Sequence, residues 1–452
     1  MIWSKPALVT AAVAACLGGM LAVAGTAGAL PLLGTGHGHA PARVGTFADW
    51  PMFRGDPLHS GVSADTTIGS ANVHTLTAGW TATLGTSSFT SPAVATSASL
   101  GKALVYAGAN GSFDAYPATG GTPVWTFKTG KGGGAIETSP DVFQGVVYIA
   151  STAGTIYALN ASTGALLCSY KTGQLIQASP VVVDAPDGSG PVVYEGTDPG
   201  APGQELAVYG PGNTHGSCAL DWQFTAFQVS PGGSWSSPAY GTDAHGTPLL
   251  VFGSVDTDDS VYALNATTGA LAWRYNTSST ALFDVGSAPT ISAPGVNGFA
   301  DGVVYAVAKD HSVYAIDLTT GSLVWSRALV VGSNGDVSGT ALAGDTLFTG
   351  SDTGMYSLNA TTGAILWHVQ PTHTFYASPV VTGPAGKQVV VVGNNEGRLY
   401  AFNPATGAIR WTQRPTTKGF WASPAVSQGT IYDIGLDGVL RSYAPAALLP
   451  GR

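Results

Sequence analysis

Charge is scarce in this chain. Asp, Glu, Lys and Arg together make up 10% of its 452 residues, and the formal net charge is −9. With 44% hydrophobic residues this is not a charged, disordered polymer. The 17 Lys and Arg form no cluster, which argues against a nucleic-acid partner. Cysteine is scarcer still, at three. No two are adjacent and no Cys-x-x-Cys-His occurs, so no c-type haem is attached. Cys16 lies in an apolar N-terminal stretch, and the remaining pair, Cys168 and Cys218, permits one disulfide in an oxidising compartment. The histidines are scattered. His37-Gly38-His39 offers two metal ligands without a third. No Ser-His-Asp or paired-carboxylate arrangement can be read from spacing.

What is present begins with an export signal. Lys5 supplies a small positive region, residues 7–33 are apolar, and Ala27-Gly28-Ala29 offers a small-residue cleavage site. The stretch also suffices for an uncleaved membrane anchor, for which about 20 apolar residues are enough. Val13-Ala14-Ala15-Cys16 resembles a lipid-attachment motif. All three readings put the rest of the chain outside the cytoplasm, with the membrane touched only through this segment. The expected organisation is a signal peptide or anchor over residues 1–29, a Gly/His/Pro linker over 30–44, and one folded domain over 45–449.

That domain is repetitive, and Gly, at 62 residues, punctuates it. A Ser-Pro-type anchor recurs at Pro92, Pro140, Pro180, Pro238, Pro289, Pro379 and Pro424, with Thr340-Ala341 in the sixth slot. A second strand carries pairs such as Val105-Tyr106, Val251-Phe252, Val304-Tyr305 and Val391-Val392. A Tyr-Ala-Leu strand, an Asn-x-x-Thr-Gly turn and a Trp follow. The Trp series runs Trp80, Trp125, Trp222, Trp273, Trp325, Trp367 and Trp411, with Cys168 once in its place. Short runs of β-branched and aromatic residues between Gly and Asn are strands. One large ring at a fixed place per repeat would pack between neighbours and bury ~150–250 Å². The expectation is an all-β propeller of eight four-stranded antiparallel blades. Trp80 stands alone before the first anchor and no Trp follows Tyr443, so the Trp80 strand should complete the last blade and close the ring.

These motifs, with the opening segment Asp49-Trp50-Pro51-Met52-Phe53-Arg54-Gly55-Asp56, resemble the pyrroloquinoline quinone (PQQ) repeat family. The resemblance implies one of two lives. Family dehydrogenases hold the quinone on the funnel axis with a calcium or lanthanide ion, a catalytic Asp and often two adjacent cysteines. Other members bind no cofactor and act as scaffolds, such as the outer-membrane assembly lipoprotein, which binds a barrel-inserting partner. This chain lacks the Cys-Cys pair, and the enzymes' metal-binding set finds no match in it. The expectation is therefore a monomeric, non-catalytic binding or assembly propeller, with no cofactor or metal, for an envelope protein, a small molecule or a glycan. The alternatives are a PQQ-dependent alcohol or sugar dehydrogenase with calcium, and a surface glycan binder.

Several local features have plain readings. Asp256-Thr257-Asp258-Asp259 could attract calcium, but it falls where other repeats place a hairpin turn. The Asn-x-Ser/Thr triplets at Asn160, Asn265 and Asn359 belong to the repeat turn, and a fourth begins at Asn276. Cys168 and Cys218 should lie on outer strands of neighbouring blades two and three, where a bridge could replace the missing indole; a free, small buried Cys168 is the competing reading. One position departs from the regularity. Two residues before the anchor Ser, near the axis, stand Phe89, Glu137, Gln177, Trp235, Gly286, Ser338, Tyr376 and Trp421. Aromatics with a few polar groups suit a ligand site, and they would equally plug the axis.

Overall fold

Each repeat folds into four short antiparallel strands, because its β-branched and aromatic runs are too short for anything else and each ends at a turn. The computed structural model describes residues 49–198, 203–227, 233–255, 258–277, 284–330, 332, 338–371 and 374–448. The N-terminal apolar stretch, the linker with His37 and His39, and Asp256 and Thr257 lie outside them. Eight sheets result, numbered here as blades one to eight. Blades one to seven run over residues 93–128, 141–171, 181–224, 239–276, 290–328, 341–369 and 380–413. Blade eight takes three strands from 425–445 and its fourth from Leu76–Thr83. That last strand pairs along Val439–Pro445, Leu76 opposite Pro445 and Thr83 opposite Val439, so the ring is closed across the chain's two ends. No helix among the described residues is long and apolar enough to cross a membrane.

A transverse row of four residues repeats in each blade. Ala93, Tyr106, Ala115 and Trp125 lie side by side in blade one, and Thr290, Tyr305, Ala315 and Trp325 in blade five. In blades four and seven the Tyr position is held by Val251 and Val391, one residue earlier than the aligned pairs suggest. A shift of one residue turns a side chain to the opposite face. Phe252 accordingly packs toward blade three, stacked on Tyr262 at 5.6 Å, while Val251 joins the core shared with blade five.

The row explains how blades hold each other. Trp125 Nε1 donates to the Ala161 carbonyl of blade two at 3.0 Å, and the Tyr106 hydroxyl donates to the same oxygen at 3.1 Å. Trp222 and Tyr194 share Ala266, Trp325 and Tyr305 share Ala360, and Trp80 and Tyr432 share Ala118. A carbonyl has two lone pairs, and here both are used. The indole lies flat on the Gly of the next blade's Thr-Gly turn. A Cβ on Gly164 would stand 2.5 Å from Trp125, which is why that turn must end in Gly. The preceding Asn shapes the turn: Asn160 Oδ1 accepts from the amides of Ser162 and Thr163, both at 3.0 Å. Between blades two and three the indole is absent. There a disulfide joins Cys168 to Cys218, with Cα atoms 5.9 Å apart.

Residues 50–63 belong to no blade. They circle the axis and satisfy the inner edges of the innermost strands, which would otherwise be bare. The amides of Val142, Tyr240, Ile291, Leu342 and Val381 donate to the carbonyls of Pro51, Pro57, Leu58, Ser60 and Gly61, in blade order two, four, five, six and seven. Trp50 bridges Val94 of blade one, and the Ser63 hydroxyl reaches the Val426 carbonyl of blade eight. Blade three is served by the Asp141 carboxylate, which accepts from the Val182 amide at 2.8 Å. The opening segment is thus a plug.

Candidate functional site

Above the plug an axial cavity of about 390 Å³ remains, lined by the turns that lead into the innermost strands. Its base is a belt of serines. Successive amides donate to the next blade's hydroxyl: Ser91 to Ser139, Ser139 to Ser179 and Ser179 to Ser237, each at 2.9 Å. Ser378 to Ser423 and Ser423 to Ser91 complete the other side at 2.9 and 2.8 Å. The belt breaks at Ala288 and Gly339 in blades five and six. The reason lies in the plug. The Arg54 guanidinium is fully buried there, its Nε and Nη2 donating to the His59 carbonyl and Nη2 also to Thr290 Oγ1. A Cβ on Gly339 would stand 2.6 Å from Arg54 Nη1. Burial pulls the guanidinium down to about 9, with the neighbouring Asp56 opposing the fall, so it stays charged at neutral pH.

Phe89, Glu137, Gln177, Trp235, Gly286, Ser338, Tyr376 and Trp421 all line this one cavity. They divide into three parts. Trp421 of blade eight contacts Tyr376 of blade seven at 4.7 Å and Phe89 of blade one at 5.4 Å, forming a continuous aromatic arc. Glu137 and Gln177 come next, the Gln177 amide donating to Glu137 Oε2 at 2.8 Å. Trp235 then leans across blade five, where Gly286 leaves it room: a Cβ there would be 2.4 Å from its Nε1. Lys309 sits over the Trp235 ring at 5.2 Å and is held by Asp284 at 2.6 Å.

Strand register changes one member. Ala341 lies opposite Phe348 as Ala93 lies opposite Tyr106, so Ser338 corresponds to Thr90 rather than to Phe89. Ser338 still lines the cavity, one step deeper, and the equivalent of Phe89 becomes residue 337, outside the described residues. Sequence reasoning missed Phe53, which reaches the cavity from the plug. The only hint was its place in a segment with no repeat partner. Asp258, in the described half of the acidic turn, faces its own blade. Asp258 accepts from the Tyr262 hydroxyl at 2.6 Å and pairs with Arg274 at 3.5 Å.

Eight closed blades, interlocked by Trp and Thr-Gly and plugged from one end, define a PQQ-repeat propeller. The family model for the outer membrane protein assembly factor BamB matches residues 109–194, 234–368, 309–384 and 356–447, and the chain belongs to that family. It is 26% identical over 368 residues to the assembly factor BamB of Salmonella typhimurium, across 71% of this chain and 88% of the relative. It is also 26% identical over 257 residues to the tetrathionate hydrolase of Acidithiobacillus ferrooxidans, across 50% and 47% of the two chains. Among solved structures, the quinohemoprotein alcohol dehydrogenase of Comamonas testosteroni superposes with a TM-score of 0.68 at 16% identity, over 90% of this chain and 82% of that one. BamB of Moraxella catarrhalis superposes with a TM-score of 0.60 at 20% identity, over 82% and 97%. These two likenesses are of fold.

Proposed function

We propose that this chain is a non-catalytic, extracytoplasmic binding propeller that takes its ligand into the mouth of the axial funnel. The observation that carries the reading is the composition of the wall: an exposed aromatic arc beside a single hydrogen-bonded carboxylate–amide pair, over a floor closed by the chain's own plug. Such a site can grip and orient a molecule.

The donor set argues against a calcium-bound quinone in the same place. Calcium takes six to eight oxygen ligands, several of them carboxylates. The described residues of the wall supply one carboxylate, Glu137, and one of its oxygens already accepts from Gln177. No group of three His, Cys, Asp or Glu able to hold a metal occurs among the described residues. The N-terminal apolar stretch and the likeness to the Salmonella outer membrane protein assembly factor support a place in the cell envelope and an envelope protein as partner.

The test is reconstitution with PQQ and calcium, followed by gel filtration, absorbance and dye-linked alcohol oxidation. No retained cofactor and no turnover are expected. Stoichiometric retention with calcium-dependent turnover would make the chain an oxidoreductase and end this reading.

A further inference from the structure

Taking the funnel as a binding site, as proposed above, the geometry points to an organic ammonium group as what it holds. Two halves of the wall ask for the same chemistry. Tyr376, Trp421 and Phe89 line the cavity as three rings in mutual contact, and Trp421 and Phe89 remain 43% and 39% exposed. The face of an aromatic ring is the negative end of its quadrupole and attracts cations within about 6 Å. Next round the ring stands Glu137, the one carboxylate among the described lining residues, which include no Lys, Arg or His. The Gln177 amide holds Glu137 by Oε2 and spends a donor in doing so. The corner keeps Glu137 Oε1 and the Gln177 amide oxygen as acceptors, beside one remaining amide N–H.

Two cations stand against this wall without being among its described lining residues. Lys309 is tied to Asp284. Arg54 lies beneath the floor, with Nε and Nη2 on His59 and Thr290. An anionic ligand would meet the Glu137 carboxylate, and no Lys, Arg or His stands among the described lining residues. A sugar could stack on the rings, yet would leave the carboxylate's charge without a counter-ion. An ammonium on an apolar body uses both: charge at Glu137, body on the arc. The volume, about 390 Å³, admits a small amine or one lysine side chain rather than a folded partner.

Calorimetry on the full exported chain tests this with four probes: phenethylamine, its neutral analogue phenethyl alcohol, N-acetyl-lysine methylamide, and cellotetraose. Phenethylamine or the lysine amide should bind, with phenethyl alcohol about tenfold weaker or undetectable. Binding should fall about tenfold in Glu137→Gln and in Trp421→Ala, and should weaken with added salt in the wild type. Both side chains reach solvent, so both variants should fold, and an unchanged melting curve checks that. Preference for the lysine amide over the free amine would assign the ammonium to a protein side chain, and the reverse to a small molecule; either supports the proposal. Equal binding of the alcohol overturns it, as does ammonium binding that survives both substitutions. Binding of cellotetraose alone overturns the ammonium while leaving a binding propeller standing. Cofactor retention with turnover strikes the binding reading itself, and so separates the two.

Discussion

The Cys168–Cys218 bridge is the one place where a covalent bond stands in for the Trp lock, and its removal should be measurable. The two residues are 50 apart in sequence. In the chain-entropy model a loop of that size restricts the unfolded chain by ~4 kcal/mol at 25 °C. Elsewhere six of the seven Trp rings pack on the next blade's Gly and bond its turn, and Trp411 instead donates to the Leu76 carbonyl of the closing strand; here Cys168 and Cys218 pack against the core shared by blades two and three. Unfolding entropy of ~2.1 cal/mol/K per residue, over a ring of roughly 400 residues, is ~0.8 kcal/mol/K, so the loss should lower Tm by ~5 °C. The assay is calorimetry of oxidised protein, of protein with reductant, and of the double variant Cys168→Ser/Cys218→Ser. The reduced and double-variant proteins should melt together, ~5 °C below the oxidised one. If all three melt within about one degree, the bridge does not restrict the unfolded chain and the entropic reasoning fails.

Three further outcomes follow from the structure. A chain beginning after Gly85 lacks both the plug and the closing strand, so blade eight keeps an open edge and cooperative unfolding should be lost; a calorimetric transition matching the full chain would refute closure through Leu76–Thr83. Trp273→Ala removes a buried indole that donates to the Leu318 carbonyl at 2.8 Å, and should cost about 3–5 kcal/mol by denaturant titration, while Trp421→Ala should cost under 1 kcal/mol. Glu195 and Glu205 are fully buried in blade three without hydrogen-bond partners for their carboxylates, and burial raises both well above the usual range. A raised carboxyl favours the folded state fully at acid pH and loses that contribution as pH rises past its unfolded value toward its folded one. Stability should therefore decline from about pH 4.5 upward, and Glu205→Gln should flatten the slope and exceed the wild type at pH 8; an unchanged slope in urea midpoints would contradict the assignment.

The strands, their number and the closure were legible in the chain before any fold was known. Each depends on short-range pattern: alternation of apolar residues, an Asn two and three residues before the amides it binds, a Gly under six of the seven blade indoles. Seven Trp and one Cys at equal places in eight repeats leave a single way to close the ring. Seven of the eight axial residues were legible for the same reason, because a fixed offset from a repeated Pro becomes a fixed radius and height in a propeller; in the sixth slot, which has no Pro, the offset slipped by one to Ser338. Tertiary structure decided what depends on which groups meet around the axis. The one-residue shift that turns Val251 and Val391 inward to the Tyr position is set by strand pairing, and both registers satisfy the local apolar pattern. The break in the serine belt at Gly339 had no reason within its own repeat; the reason is Arg54, more than 200 residues away, which needs that space. The plug carries no periodicity at all, since its carbonyls answer a different strand at nearly every residue. Nothing local could show that the segment before the first blade closes the funnel from below, lends it Phe53, and leaves the ring of variable side chains open only at its mouth.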